Sequence, residues 1–209
     1  MSEVVLYDYW RSSAAYRVRI VLNLKGVAYR SVPIDLGQGA QGSADYTALN
    51  PQGLVPALAI DGLLLTQSLA IIDYLDAQYK DPPMVSSDPA SRSRTLAQAL
   101  VIAADIHPIN NLRVLNYLRS ELGQGEDAVS TWYRHWIALG LAALEQQAPD
   151  CGLFGGDTPN MADVCLVPQL ANARRFDQPL EAFPRLVAID AALRALPAFA
   201  AAAPEAVKN

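Results

Sequence analysis

Two hydroxyl side chains stand where a protein can bind negative charge. Ser12 and Ser13 come two residues after VVLYDY, a short run of β-branched and aromatic residues typical of a buried strand. They directly precede a segment whose apolar residues have helical spacing. Free amides and the dipole at a helix N-terminus favour an anion. The pair therefore predicts an anion site, and the alternative is that either serine only caps the helix.

Two further features of the sequence are also consistent with a ligand-binding site. Val55-Pro56 begins a predicted strand, where proline removes a ladder donor and fits poorly unless its bond is cis or the backbone faces a ligand. An edge strand would also accept this proline. Gln67-Ser68 opens a second predicted helix, where a hydroxyl and free amides suit a carboxylate. The alternative there is that Ser68 is simply the helix cap.

Strands and helices must alternate to position these residues. The helix after VVLYDY extends from Ala14 to Lys25 and stops at Gly26. Strands AYRSVPID, LVPALAI and LLLT follow, the last two joined by an Asp61-Gly62 hairpin turn, and SLAIIDYLDAQY forms the second helix. The loop GQGAQGSADYTALNP has room for one helical turn, and KDPPMVSSDP resembles a linker.

Beyond this linker the sequence predicts helices alone. Alanine- and leucine-rich segments cover roughly 91–120, 126–147, 161–175 and 187–202. Asn160, with Asp163 three residues on, predicts a capping box at the start of the third helix. We therefore expect an α/β domain at 1–82 and an all-α domain at 88–209.

Composition excludes several classes of partner. The net charge of −5 argues against a nucleic-acid or anionic membrane surface, so an anionic ligand must be held locally. The cysteines, Cys151 and Cys165, form no C-x-x-C pair, and with only two histidines we expect no metal site. The N-terminus carries acidic residues and no apolar run approaches a membrane span, so we expect a soluble, cytoplasmic protein.

Several segments together resemble the zeta class of glutathione transferases, which includes maleylacetoacetate isomerase and bacterial maleylpyruvate isomerases. The similarity covers nearly the whole chain. QSLAII and VPAL occur throughout glutathione transferases, whereas Arg11-Ser12-Ser13, HPINN and VPQLANARRF are specific to the class. The resemblance implies a thioredoxin-like βαβαββα domain, an all-helical C-terminal domain, a homodimer, and an active site in the cleft between the domains.

The resemblance also implies how glutathione is bound. Ser12 would face the sulfur, with help from Ser13, and the backbone of Val55 beside a cis Pro56 would bind the cysteinyl part. Gln67 and Ser68 would bind the γ-glutamyl carboxylate. His107 and Asn111 would lie near glutathione on one helix face, although Pro108 between them must kink or reshape that helix.

Arginines supply 13 of the 16 basic residues and would hold the substrate. By resemblance, Arg11 and Arg175 would bind the two carboxylates and the developing enolate oxygen of a small anionic cis-enone diacid, with Arg113 as a third contact. Arg174 is expected at the surface or an interface. Trp132, Tyr133 and Trp136 are expected in helix packing.

The class reaction is a cis–trans isomerisation in which a thiolate adds reversibly to a conjugated double bond. Ala14 stands where the class motif has cysteine, which excludes a protein thiolate at that position. The favoured substrate is maleylacetoacetate, from tyrosine breakdown, and the alternative is maleylpyruvate, from gentisate. A conjugating enzyme and a non-catalytic binding protein are the remaining alternatives.

Overall fold

In a computed structural model that describes residues 3–208, the contacts of the chain divide it into two units. The first unit runs to Met84 and takes in the segment from Ala195 onward, and the second is Val85–Arg194. The division falls inside the segment predicted as a linker, and it divides the predicted range 88–209 between the two units. Within the described residues, no helix is both long and apolar enough to cross a membrane.

A mixed four-stranded sheet supports the first unit. Its strands are β1 (Val5–Asp8), β2 (Arg30–Pro33), β3 (Ala57–Ile60) and β4 (Leu63–Thr66), in the order β2-β1-β3-β4. β1 lies parallel to β2 and antiparallel to β3, and β3 forms the predicted hairpin with β4. Asp61 and Gly62 turn this hairpin with φ of 51° and 77°, the left-handed pair that a tight hairpin turn requires.

Three α-helices accompany these strands, two between strands and one after β4. They are α1 (Ser13–Leu24), α2 (Ala44–Leu49) and α3 (Ser68–Gln78). α1 stops at Gly26 as predicted, because the glycine takes a φ of 64° and lets the amide of Val27 bond the carbonyl of Leu22 at 2.9 Å. The order βαβαββα, a thioredoxin-like arrangement, is confirmed.

The second unit is built from helices, which confirms the all-α prediction. They are α4 (Pro89–Leu100), a π-helical turn (Val101–Ile106), α5 (His107–Ile109), α6 (Leu112–Ser120), α7 (Glu126–Gln147), α8 (Met161–Arg175) and α9 (Pro184–Arg194). The bounds of α7 and α8 agree with the predicted ranges 126–147 and 161–175.

The other two predicted helices are each interrupted, and proline accounts for both breaks. Over 91–120, Pro108 lacks an amide for the helix ladder and the preceding turn widens into the π-helical form. The chain then restarts at Asn111, whose Oδ1 accepts from the Arg113 amide at 3.1 Å. Over 187–202, Pro197 holds Leu196 in an extended conformation, so α9 ends and a new helix begins.

The chain end returns to the first unit as α10 (Pro197–Ala202) and α11 (Pro204–Val207). α10 packs along α1. Three α1 side chains donate hydrogen bonds to α10 carbonyls: Tyr16 to Phe199 (3.4 Å), Arg19 to Ala202 (2.9 Å) and Asn23 to Ala198 (3.0 Å). The helix that follows Ser12 is therefore fastened by the end of the chain.

Within the second unit, α7 approaches the π-helical turn closely. A Cβ added at Gly140 would overlap the side chain of Ile106, so only glycine fits at this crossing. Ile106 and Ile137 are both buried beside it. The close approach fixes the segment that leads into His107 against the middle of α7.

The start of α8 carries the predicted capping box. The Asn160 side chain accepts from the amides of Ala162 (2.8 Å) and Asp163 (3.2 Å), and the Asp163 carboxylate accepts from the amide of Asn160 at 3.0 Å. Asp163 also accepts from the amides of Phe154 and Gly155, at 3.0 and 2.9 Å. Burial raises the pKa of Asp163 to about 6, although these amide bonds act against the rise.

Replacing Asp163 by alanine should lower the melting temperature by roughly 10 °C, because three amides lose their acceptor at about 1 kcal/mol or more each. Scanning calorimetry at neutral pH measures this shift. Asp157→Ala is the matched control, since Asp157 is exposed in the loop that precedes α8. Equal melting temperatures for the two variants would contradict the role assigned to Asp163.

Candidate active site

Ser12 lies at the N-terminus of α1, just after the loop that leaves β1. Its amide donates to the carbonyl of Tyr9 at 2.8 Å, and its Oγ accepts from the amide of Ala15 at 3.2 Å. Ser12 is thus the cap of α1, and Ser13 is buried as the first helical residue. Because the cap uses a lone pair of Oγ, the hydroxyl proton is not engaged in it and can be donated to an anion.

A buried arginine holds the loop before Ser12. Arg19 is 1% exposed and binds both carboxylate oxygens of Asp8, at 2.7 and 2.9 Å. It also donates to the carbonyls of Trp10 at 3.1 Å and Ala202 at 2.9 Å. The loop therefore has a fixed backbone as it enters α1.

Arg11, in the same loop, is exposed. Its guanidinium lies 4.7 Å from the ring centre of Trp10 and donates to the hydroxyl of Tyr9 at 3.1 Å. Stacking on an aromatic ring orients the charge without neutralising it. Arg11 can therefore still attract a carboxylate.

The Val55-Pro56 bond is cis, as the resemblance implies. Val55 lies outside β3, whose pairing begins at Ala57 with Tyr7 on one side and Thr66 on the other. The sheet therefore does not use the backbone groups of Val55, and a ligand can. Two side chains steady this loop by donating to the carbonyl of Leu54: the Tyr46 hydroxyl at 2.7 Å and the Asn50 amide at 2.8 Å.

At α3 the structure corrects the predicted cap. Gln67, and not Ser68, occupies the cap position, with a φ of 67° that is uncommon for any residue but glycine. Ser68 is the first helical residue, and its Oγ accepts from the guanidinium of Arg17 at 3.2 Å. The side chain of Gln67 makes no cap bond, so no side chain caps the exposed amides of α3.

Arg17 and Gln52 belong to this group, and the sequence analysis missed both. Arg17 is 1% exposed and places a positive charge beside the α3 N-terminus. Gln52 accepts from the Gln67 side chain at 3.0 Å. A signal was available for each, since Arg17 interrupts the apolar face of α1 and Gln52 lies within the NPQGLVPAL segment.

The first unit thus carries two helix N-termini that are linked through one helix. Ser12 caps α1, and Arg17, five positions along α1, reaches Ser68 at the start of α3. Both N-termini and the buried guanidinium favour negative charge. Of the residues predicted from the sequence, Arg11, Ser12, Ser13, Val55, Pro56, Gln67 and Ser68 belong to this unit.

In the second unit, Arg175 is the last residue of α8 and is exposed. Its guanidinium lies 5.0 Å from the ring centre of Phe176. Burial raises the pKa of Tyr133, and the charge and hydrogen bond of Arg175 oppose that rise. Arg174 instead pairs with buried Asp190 at 2.6 Å, which agrees with its exclusion from the predicted site.

The prediction that His107 and Asn111 share a helix face is wrong. His107 begins α5, but the helix ends before Asn111, which is extended with a ψ of 149° and caps α6. The Oδ1 of Asn111 serves the Arg113 amide at 3.1 Å, which leaves the side-chain NH₂ group for a ligand. Arg113 itself is exposed.

No group of three or more His, Cys, Asp or Glu side chains within residues 3–208 is placed to hold a metal ion. The groups gathered in each unit are instead hydroxyl, amide and guanidinium donors. Such donors can bind carboxylates and stabilise a thiolate or an enolate oxygen.

Comparison with known proteins places these features in context. Residues 2–77 match the glutathione S-transferase N-terminal domain. A maleylacetoacetate isomerase of Rhizobium meliloti is 50% identical over 99% of each chain. A bacterial zeta-class maleyl pyruvate isomerase structure is 44% identical, with a TM-score of 0.95 over 98% of this chain and 99% of that one. A maleylacetoacetate isomerase of Anaeromyxobacter dehalogenans with bound GSH is 40% identical, with a TM-score of 0.88 over 99% of this chain and 97% of that one.

The backbone at Gln67 gives a prediction about stored strain. Because a positive φ costs a side-chain-bearing residue about 1 kcal/mol or more, Gln67→Gly should be more stable than Gln67→Ala by about that amount. Chemical denaturation of the two variants measures the difference. At Gln78, a helical residue of α3, the same pair of substitutions should rank in the opposite order, with alanine the more stable. An alanine variant at least as stable as the glycine variant at position 67 would show that no strain is held there.

Proposed function

Because this chain belongs to the glutathione S-transferase family, and within it to the zeta class, we propose that it is a glutathione-dependent isomerase that converts maleylacetoacetate to fumarylacetoacetate. One observation carries the proposal. In a chain similar over its full length to these isomerases, the Ser12 hydroxyl lies at the N-terminus of a buried helix, after the loop that leaves the first strand.

The residues of the first unit fit glutathione. The uncapped amides of α3 and the buried charge of Arg17 provide a site for the γ-glutamyl carboxylate, beside the Gln67 amide and Ser68. The backbone of Val55, next to Pro56, is available for the cysteinyl part. On the resemblance alone, His107 and the side-chain NH₂ of Asn111 are proposed as further glutathione contacts.

When bound, glutathione supplies a thiolate that can add reversibly to a conjugated alkene. Ser12 would donate its hydroxyl proton to the sulfur and stabilise the negative charge, supported by the α1 dipole and by Ser13. Arg19 keeps this hydroxyl in place through its bonds to Asp8 and Trp10. Position 14 is an alanine, which is buried in α1, so no protein thiol competes with the glutathione thiolate there.

Arginine side chains are proposed to hold the substrate. Arg11, Arg113 and Arg175 are each exposed and can bind a carboxylate through two parallel hydrogen bonds. The carbonyl oxygen of the substrate becomes negative when the alkene is attacked, and a fixed guanidinium would stabilise that charge. Arginine suits this task better than lysine, because its planar guanidinium presents two donors in a fixed geometry.

Maleylpyruvate is the second candidate substrate. The TM-score of 0.95 to a maleyl pyruvate isomerase favours it, and both substrates present a cis alkene conjugated to carbonyl groups in a small diacid. The same arginines would serve both. The two candidate functions therefore differ in the preferred substrate and share the same type of reaction.

A homodimer and a cytoplasmic location are also proposed. β4 lies at the edge of the sheet and exposes 48% of Leu63 and 38% of Leu64, an apolar edge that a second copy of the chain could cover. The cytoplasmic location rests on the sequence analysis, and so does the separation of the chain into domains at 1–82 and 88–209.

Purified protein should isomerise maleylacetoacetate in the presence of glutathione, with the higher kcat/KM for this substrate than for maleylpyruvate. A spectrophotometric assay follows the loss of the cis isomer. S-methylglutathione is the control, because it keeps the carboxylates and lacks the thiol. Turnover of similar rate with this control would exclude thiolate chemistry, and a higher kcat/KM for maleylpyruvate would choose the second candidate.

Ser12→Ala should lower kcat/KM by about 100-fold and raise the pKa of the bound thiol by about 1, because the sulfur loses a donor. The rate would then rise with pH only at more alkaline values. Ultraviolet titration of the thiolate measures the pKa directly. Ser43→Ala is the matched control, since Ser43 caps α2 through the Tyr46 amide at 3.3 Å. A thiol pKa equal in the two variants would reduce Ser12 to a helix cap.

A further inference from the structure

The indole ring of Trp10 lies against two cations. The guanidinium of Arg11 is 4.7 Å from the ring centre, and the ammonium of Lys208 is 4.9 Å from it. All three residues belong to the first unit. The distance between the two charges cannot exceed the sum of 4.7 and 4.9 Å, because both are measured from the same point. Two positive charges from distant parts of the chain therefore meet in the loop that leads to Ser12.

These two charges are not neutralised by the protein. In the part of the chain that the structure describes, no carboxylate pairs with Arg11 or Lys208, and both side chains are exposed. Arg11 donates instead to the neutral hydroxyl of Tyr9 at 3.1 Å. Charges interact across about one Debye length, roughly 8 to 10 Å at physiological ionic strength, so the two cations repel each other. An anion beside both of them would relieve that repulsion.

One buried guanidinium holds the backbone on both sides of this cluster. Arg19 donates to the carbonyl of Trp10 at 3.1 Å and to the carbonyl of Ala202 at 2.9 Å. Ala202 ends α10, and α11 follows and leads directly to Lys208. The indole and the lysine are therefore brought together by bonds to the same side chain, which is 1% exposed.

We infer that Arg11 and Lys208 form a dicarboxylate site on the ring of Trp10, in which Arg11 binds one carboxylate and Lys208 attracts the other. The inference rests on the proposed role of Arg11 and adds a residue to it. The two cations suit different tasks, since a guanidinium can bind a carboxylate through two parallel bonds and an ammonium acts as a point charge. Tryptophan is the aromatic side chain that holds a cation best.

Lys208→Met tests this role, because it removes the charge and keeps a long unbranched side chain. We expect KM for the diacid to rise about 3- to 5-fold, in the upper range for an exposed ion pair. The kcat should change less than twofold, because Lys208 attracts the substrate equally before and during reaction. Lys208→Arg keeps the charge and should keep KM within twofold of the wild type. Lys80→Met is the matched control, since Lys80 is exposed in the same unit.

Calorimetry with succinate and succinamate tests the number of carboxylates that are bound. The two ligands have the same length, but succinamate carries an amide in place of one carboxylate. Lys208→Met should weaken succinate binding about 3- to 5-fold and succinamate binding less than twofold. High salt should reduce the difference between wild type and variant, because it screens exposed charges. These measurements need no turnover, so they test the site separately from the proposed isomerase activity.

Several results would overturn the inference. Equal effects of Lys208→Met and Lys80→Met on KM would reduce Lys208 to a contribution to the general charge. Equal weakening of succinate and succinamate, or no binding of succinate to the wild type, would exclude a site for two carboxylates. An unchanged KM in Lys208→Met beside a raised KM in Arg11→Ala would remove this inference and leave the proposed function intact. An unchanged KM in Arg11→Ala would remove the proposed role of Arg11 together with this inference.

Discussion

A buried ion pair is the constraint on which the first unit depends. A buried guanidinium is costly to desolvate, and leaving one without a partner costs about 3 to 5 kcal/mol. Arg19 meets this demand with the two oxygens of Asp8 and the carbonyls of Trp10 and Ala202. These acceptors come from the end of β1, the loop before Ser12 and the chain end. Satisfying one charge therefore fixes three separate segments around the start of α1.

Locally placed positive charge explains how an acidic protein can hold an anionic ligand. The net charge of −5 gives no general attraction for anions, so the attraction must be local. The N-termini of α1 and α3, with Arg17 buried beside the second, provide it in the first unit. In the second unit the exposed guanidinium of Arg175 lies against the ring of Phe176.

Local signals were enough to predict the regular parts of the molecule. The β-branched runs, the Asp61-Gly62 turn and the Asn160–Asp163 box each depend on residues close together in the chain, and the structure has all three. The two interrupted helices carried a local signal in Pro108 and Pro197, whereas the error at α3 involves a distant residue. Ser68 is the first helical residue of α3 and not its cap, and its hydroxyl accepts from Arg17, 51 positions earlier. No local pattern contains that information.

The return of the chain end to α1 has a consequence for the order of synthesis. Arg19 is made early, and Ala202, one of its acceptors, is made 183 residues later. At about 5 to 20 residues per second, the ribosome needs roughly 10 to 40 seconds to deliver it. Until then the guanidinium lacks one partner and α1 lacks the packing of α10. A chain that stops short of α10 therefore carries Ser12 without its complete support, so the organised site is a property of finished molecules.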